Sequence, residues 1–205
     1  MTFGDKLLAR CWLSGVLFFA LSMAASAHAD SDSARSTQWG LGQLMQSLAQ
    51  VKSIKGQFVE RKYLSILNAP LEFSGTLVYT APSHLEKRTL LPKPESMVLD
   101  QDRLTFERKN QRRSLVLQDY PVIWAFVEGI RSTLAGDLQT LNRFYRVSLE
   151  GNATQWHLVL VPSEMQMQGV VSEIHIDGSK NRVASIEIIE TGGDHSVMTI
   201  TEGAP

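Results

Sequence analysis

Few residues in this chain could do covalent chemistry. Asp194-His195-Ser196 carries the three side-chain types of a hydrolytic triad. Neighbours in a strand point to opposite faces, so these three would diverge rather than converge. Asp194 reads more simply as a turn residue and His195 as a strand start. The other histidines after residue 29 are His84, His157 and His175, and no pair has H-x-H or H-x-x-x-H spacing. That argues against a metal site. Gly192-Gly193 reads as a hairpin turn rather than a phosphate cradle, and Asn152-Ala-Thr154 marks a turn. The expectation is no catalysis, no metal and no cofactor.

The carboxylates Glu60, Glu72, Glu86, Glu95 and Glu107 are scattered, and only the fold could pair them. Lys87-Arg88, Arg108-Lys109 and Arg112-Arg113 form small basic clusters. They read as a solvated strand edge, or as a docking patch for an acidic partner or phospholipid headgroups.

The first residues carry their own signal. Lys6 and Arg10 precede an uncharged run over residues 11–27, closed by Ala27-His28-Ala29. This is the pattern of a secretory signal peptide spanning 1–29, with Ala25-Ser26-Ala27 as a competing cleavage site. Cys11, the one cysteine, stands ahead of the apolar run and would leave with it. The remaining domain, 30–205, would then lack a thiol and a disulfide. Loss of Lys6, Arg10 and Asp5 takes the net charge from −1 to −2, which is no footprint for nucleic acid.

The elements follow from period. Residues 30–37 are Ser- and Asp-rich and read as a leader. Leu41, Leu44, Met45, Leu48 and Val51 have helical spacing, which predicts an amphipathic helix over 40–53. The period then becomes two, clearest over 71–80, where Leu71, Phe73, Gly75, Leu77 and Tyr79 share a face. Strands are expected at 54–64, 71–80, 84–91, 96–100, 103–107 and 113–118. An apolar helical insertion follows over 120–145, with Pro121 in its first turn, Gly136 as a stop and Asp137 as the next N-cap. Five more strands are expected at 145–149, 155–161, 171–176, 183–190 and 196–201. Turn signals about every ten residues indicate an antiparallel meander. About eleven strands exceed what a flat sheet holds, so the sheet must curl. The fold expected is mainly β: a curled antiparallel sheet forming an incomplete barrel, lidded by the N-terminal helix and the helical insertion.

Residues 75–104 read GTLVYTAPSHLEKRTLLPKPESMVLDQDRL. With Gly56-Gln-Phe58-Val-Glu-Arg61 upstream, Trp156-His-Leu158-Val-Leu160-Val-Pro162 downstream and the hairpins around Asp177-Gly178 and Gly192-Gly193, this resembles the LolA family of outer-membrane lipoprotein carriers. The resemblance covers about Leu41 to Ile200. Typical carriers have Arg before the proline of this block, where it helps hold the lid; here that position is Ala81. The chain also ends soon after Ile200. It therefore looks like a LolA-related branch, with lipoproteins or another lipophilic cargo, such as a free lipid or lipid-linked pigment.

The resemblance implies a periplasmic monomer whose cavity takes the acyl chains of a lipoprotein. It implies movement between an inner-membrane release complex and an outer-membrane acceptor, with transient contact at the membrane surface. On this reading Phe58, Phe73, Leu77, Tyr79, Leu104, Phe106, Leu115, Leu117, Trp156 and Leu158 line the cavity. Trp124, Phe126, Val127 and Ile130 form the lid. Ordinary core packing is the competing reading for each, because periodicity finds a buried face but not whether the space is filled. A sensing or interaction module on the same scaffold is the alternative function.

Overall fold

The computed structural model describes residues 39–203. The expected signal peptide and the 30–37 leader lie outside the described residues.

The first helix, α1 (Leu41–Leu48), buries Leu44, Met45 and Leu48. It stops before the expected end at 53. Ala49, Gln50 and Val51 close it with backbone bonds to Met45, Ser47 and Leu48, and the chain is extended again by Ser53. Eight residues are too few to hold a helix in water. The burial of three large side chains, about 2 kcal/mol each, is what fixes it.

Six strands follow: β1 (Ser53–Tyr63), β2 (Leu71–Thr80), β3 (His84–Leu91), β4 (Glu95–Asp100), β5 (Arg103–Arg108) and β6 (Gln111–Val116). Then come α2 (Pro121–Ala135) and α3 (Leu138–Phe144). The chain returns through β7 (Tyr145–Asn152), β8 (Gln155–Pro162), α4 (Met165–Gln168), β9 (Val171–Ser179), β10 (Arg182–Glu190) and β11 (His195–Glu202). The one-turn helix α4 was not anticipated; its single buried side chain, Met167, gives no period to read.

All eleven strands join one sheet in the order β6-β5-β4-β3-β2-β1-β11-β10-β9-β8-β7. Every pairing is antiparallel, and β1 against β11 joins the two meanders. The edge strands β6 and β7 do not meet, so the sheet is curled but unclosed.

The helical insertion follows its local chemistry. Pro121 opens α2, and Gly136 ends it at φ +67, a left-handed conformation that glycine adopts without cost. A side chain there would strike the Met45 carbonyl of α1, so this glycine also lets the two helices touch. The Asp137 carboxylate accepts the Thr140 N–H at 3.0 Å as the N-cap of α3. Hydrogen bonds from the Thr140 hydroxyl and backbone N–H hold the Asp137 carboxyl below the usual 3.8. A depressed carboxylate stabilises the fold above its unfolded pKa, and that stability is lost as pH falls through the folded value. Asp137→Ala is expected to cost about 1 kcal/mol at neutral pH. The difference from the parent should shrink on titration below pH 3.8, as followed by urea melts.

Candidate functional site

Strand alternation gives the curled sheet a polar convex face and a concave face holding two apolar clusters. The larger, on β7–β10, contains Trp156, Leu158, Leu160, Ile174 and Ile176 with α1 and Leu141 of α3. The smaller, on β4 and β5 and the 3-10 turn after β6, contains Leu99, Leu104 and Leu117. The helix α2 serves both. Its Val122, Ala125, Phe126, Ile130 and Leu134 pack on the larger cluster. Its Ile123, Trp124 and Val127 pack on the smaller. A helix apolar around most of its surface needs cover on most sides, and the concave face supplies it.

The sequence-derived cavity residues fall into three groups. Trp156 and Leu158 lie in the larger cluster, Leu104 and Leu117 in the smaller, and Leu115 packs against the smaller. Phe58, Phe73, Leu77, Tyr79 and Phe106 belong to neither. The first four stand on β1 and β2, the middle of the sheet between the clusters. Phe58 and Tyr79 are buried, Phe73 and Leu77 half-buried, and Phe106 is 39% exposed. Leu117 was expected on a strand; it reaches the core from the 3-10 turn Leu117–Asp119, where Leu117 N–H bonds the Asp102 carbonyl. The four lid residues all lie on α2, each partly buried. The trough is thus closed by α2 and packed. A hollow of about 420 Å³ opens beside α2 and α3, among Trp124, Arg131, Arg143, Phe144, Gln101 and Asp102.

The C-terminal half of α2 is tied to the sheet through Arg131. Glu128 is buried, and Trp124 Nε1 (3.0 Å), Ser132 Oγ (3.1 Å) and the Arg131 guanidinium all donate to it. Arg131 also donates to the Gln101 carbonyl at 2.6 Å, in the β4–β5 turn. A buried carboxylate is tolerated only with such donors. An arginine on α2 therefore reaches the sheet, and position 81, just after β2, is alanine. The sequence reading missed this tether; the i, i+3 spacing of Glu128 and Arg131 was the available signal.

Tyr79 carries a second polar group into the trough floor. Its hydroxyl is buried, has no hydrogen-bond partner, and burial raises its pKa above 10.0. An unsatisfied buried hydroxyl costs about 1–3 kcal/mol, so Tyr79→Phe should leave stability unchanged or raise it. A loss of 1 kcal/mol or more in a urea melt would mean the hydroxyl is paired in the folded protein.

The remaining candidates diverge. The Asp194 carboxylate accepts the Ser65 N–H at 2.7 Å and His195 stacks on Tyr63, ring centroids 4.5 Å apart. Each is occupied with a different neighbour, so the triad letters do not assemble. On the convex face His157 meets Asp177 at 2.7 Å, and His175 meets Glu173 at 2.7 Å. Among the described residues no group of three histidines or carboxylates has metal-binding geometry, and no helix is long and apolar enough to cross a membrane. Lys87 and Arg88 point to opposite faces: Lys87 turns inward onto Glu60 and Arg88 outward onto Glu86.

A curled, unclosed eleven-stranded sheet with a helix across its hollow is a distinctive architecture, and residues 32–205 match the family described as outer membrane lipoprotein carrier protein LolA-like. The chain belongs to this family. No curated protein sequence matches it. Among solved structures, the LolA-like chain is similar to a LolA superfamily protein from Nitrosomonas europaea, at 8% identity and TM-score 0.44, covering 81% of this chain and 95% of that one. It is also similar to a chain of the Pseudomonas aeruginosa MucA/MucB complex, at 15% identity and TM-score 0.46, covering 80% and 57%. A third is the Mycobacterium tuberculosis lipoprotein LppX, at 11% and 0.42, covering 80% and 95%. In this LolA-like chain α2 packs on both apolar clusters of the sheet.

Proposed function

We propose that this chain is an exported, non-enzymatic carrier that holds acyl chains between the concave face of its sheet and α2. On this reading residues 1–29 are a cleaved signal peptide, 30–205 are one working domain, and the protein acts as a monomer in the periplasm. Its cargo is the acyl portion of a lipoprotein or another lipid, received at the inner membrane and delivered to an outer-membrane acceptor. The carrying observation is that α2 packs on two separate apolar clusters and spans the sheet between them. Lifting one helix would expose both apolar clusters without unpairing a strand.

The energetics suit shuttling. Each CH₂ moved out of water is worth about 0.8 kcal/mol. An incoming chain replaces the contacts that α2 makes with the sheet, so the net affinity stays below the full transfer energy and release remains feasible.

The reading also accounts for an uneven surface. Tyr63, Ile66, Leu67, Leu71, Leu91 and Met165 are all exposed, Ile66 by 86%. They stand in or beside the β1–β2, β3–β4 and β8–β9 connections, which lie at the same end of the sheet. Apolar loop tips grouped at one end suit transient contact with a bilayer interface. Incubation with an acyl chain bearing an environment-sensitive fluorophore tests the reading. A saturable blue shift, reversed by unlabelled lipid, is expected; no uptake in either the resting or mildly destabilised protein would contradict it.

A further inference from the structure

The concave face carries a charged cluster that an acyl trough does not require. Glu60 lies on the same face of β1 as Phe58, and both are buried. Its carboxylate is paired with the Lys87 ammonium from β3. A second lysine, Lys62, stands 3.7 Å from the other carboxylate oxygen, and its side chain is 45% exposed. The two ammonium groups lie over aromatic faces, Lys87 at 4.9 Å from the Phe58 ring centroid and Lys62 at 5.8 Å from that of Phe73. One buried carboxylate neutralises one lysine, so the group keeps a positive charge. Across the sheet the register runs Leu77, Lys87, Met97, Phe106, Arg113. Arg113 shares the face of Leu115, which packs on the smaller cluster. It is exposed and has no ion-pair partner among the described residues. About 14 Å separates it from Lys87, three strand spacings away.

Cations on the concave side of a sheet, bordered by half-buried Phe73 and Leu77 and exposed Phe106, form a polar mouth to an apolar floor. Lys62 lies at the same end as the exposed apolar loops, pairing directly with Leu71. A cargo entering chain-first from that end would bring its head to rest here. A lysine ammonium is a strongly hydrated point charge. Holding one beside an acyl path suits a partner that is both amphiphilic and anionic.

We propose that Lys62 and Lys87, with Arg113 three strands along the same face, form a cationic headgroup site, and that the cargo is an acyl amphiphile with an anionic oxyacid head, a phosphodiester or a carboxylate. This rests on the carrier reading and narrows it. Lys87 is the poorer residue to mutate, because its loss would strand the buried Glu60. Lys62 and Arg113 are exposed enough to change without that penalty.

The test is equilibrium binding of three probes with one palmitoyl chain each: lysophosphatidylglycerol, palmitate and lysophosphatidylcholine, with inorganic phosphate as competitor. Trp124 on α2 provides the fluorescence signal. The anionic probes are expected to bind at least ten-fold more tightly than the zwitterionic one. Lys62→Gln/Arg113→Gln should bring all three within about three-fold. Arg112→Gln, which removes a neighbouring charge from the opposite face, should leave the preference intact. Preference for one anionic probe over the other would identify the head as phosphodiester or carboxylate. Equal binding of all three probes by the parent protein would overturn the headgroup site while leaving the acyl trough standing. So would a preference that survives the double variant. Binding of phosphate alone, with no dependence on the acyl chain, would assign the cations to a free anion and also overturn it. Failure of every probe would overturn the carrier reading itself.

Discussion

Phe126→Asp is expected to abolish acyl-chain uptake while leaving the eleven-stranded sheet folded. Phe126 lies on α2 and packs against the larger apolar cluster, yet it is only partly buried. The sheet does not depend on it, because the strands pair without interruption from β6 to β7. An aspartate there sets a charge against Leu and Ile side chains, and an uncompensated charge in such surroundings costs several kcal/mol. The helix would release that cost by moving outward, carrying the charge to water. Far-ultraviolet circular dichroism should retain the β signal. Uptake of a fluorescent acyl chain should fall at least 100-fold, because the helix no longer covers the bound chain. Retention of full binding would refute the assignment of α2 as the lid.

Gly178→Ala should be strongly destabilising. Gly178 lies between Trp156 and Val183 across the sheet. A β-carbon there would overlap the Trp156 ring and the Arg182 carbonyl oxygen together. Trp156 is 1% exposed, and its Nε1 donates to the Lys180 carbonyl at 2.9 Å. The ring is therefore fixed from two directions and cannot retreat. Gly151, its partner on β7, similarly lacks room for a side chain. Overpacking of this kind costs about 3 kcal/mol, occasionally more. The midpoint of a urea melt should shift accordingly, or the protein should fail to accumulate. A loss under 1 kcal/mol would mean that Trp156 is free to repack.

These two residues also mark what the sequence could reveal. Phe126 was legible because 123, 126, 127, 130 and 134 keep helical spacing within an otherwise β-rich chain. Most strand bounds were legible too, since β2 and β3 have alternating or turn-bounded runs that end at Ala81-Pro82-Ser83 and Pro92-Lys93-Pro94. The packing of Trp156 on glycine was not, because it joins residues from three strands whose register depends on turns far apart in the chain. The Glu60 cluster lay between these cases. Alternation alone puts Glu60 on the face of Phe58, but its lysine partner comes from β3, 27 residues away. Lys87-Arg88 looked like a single basic patch because neighbouring residues are close in sequence; a strand sends them to opposite faces. The end of α1 was overestimated because Val51 fits both the helical period and the start of an extended run. The spacing of Glu128 and Arg131 signals their pairing on α2, but the reach of Arg131 to the Gln101 carbonyl depends on how the helix packs on the β4–β5 turn.

The central claim is that α2 and the sheet enclose lipid. Native mass spectrometry of the protein, purified from the cell envelope without detergent, tests it most directly. The account predicts adducts with the masses of lipids or lipopeptides, released when the protein is denatured. A clean apo mass, with no adduct after incubation with acyl amphiphiles, would contradict it.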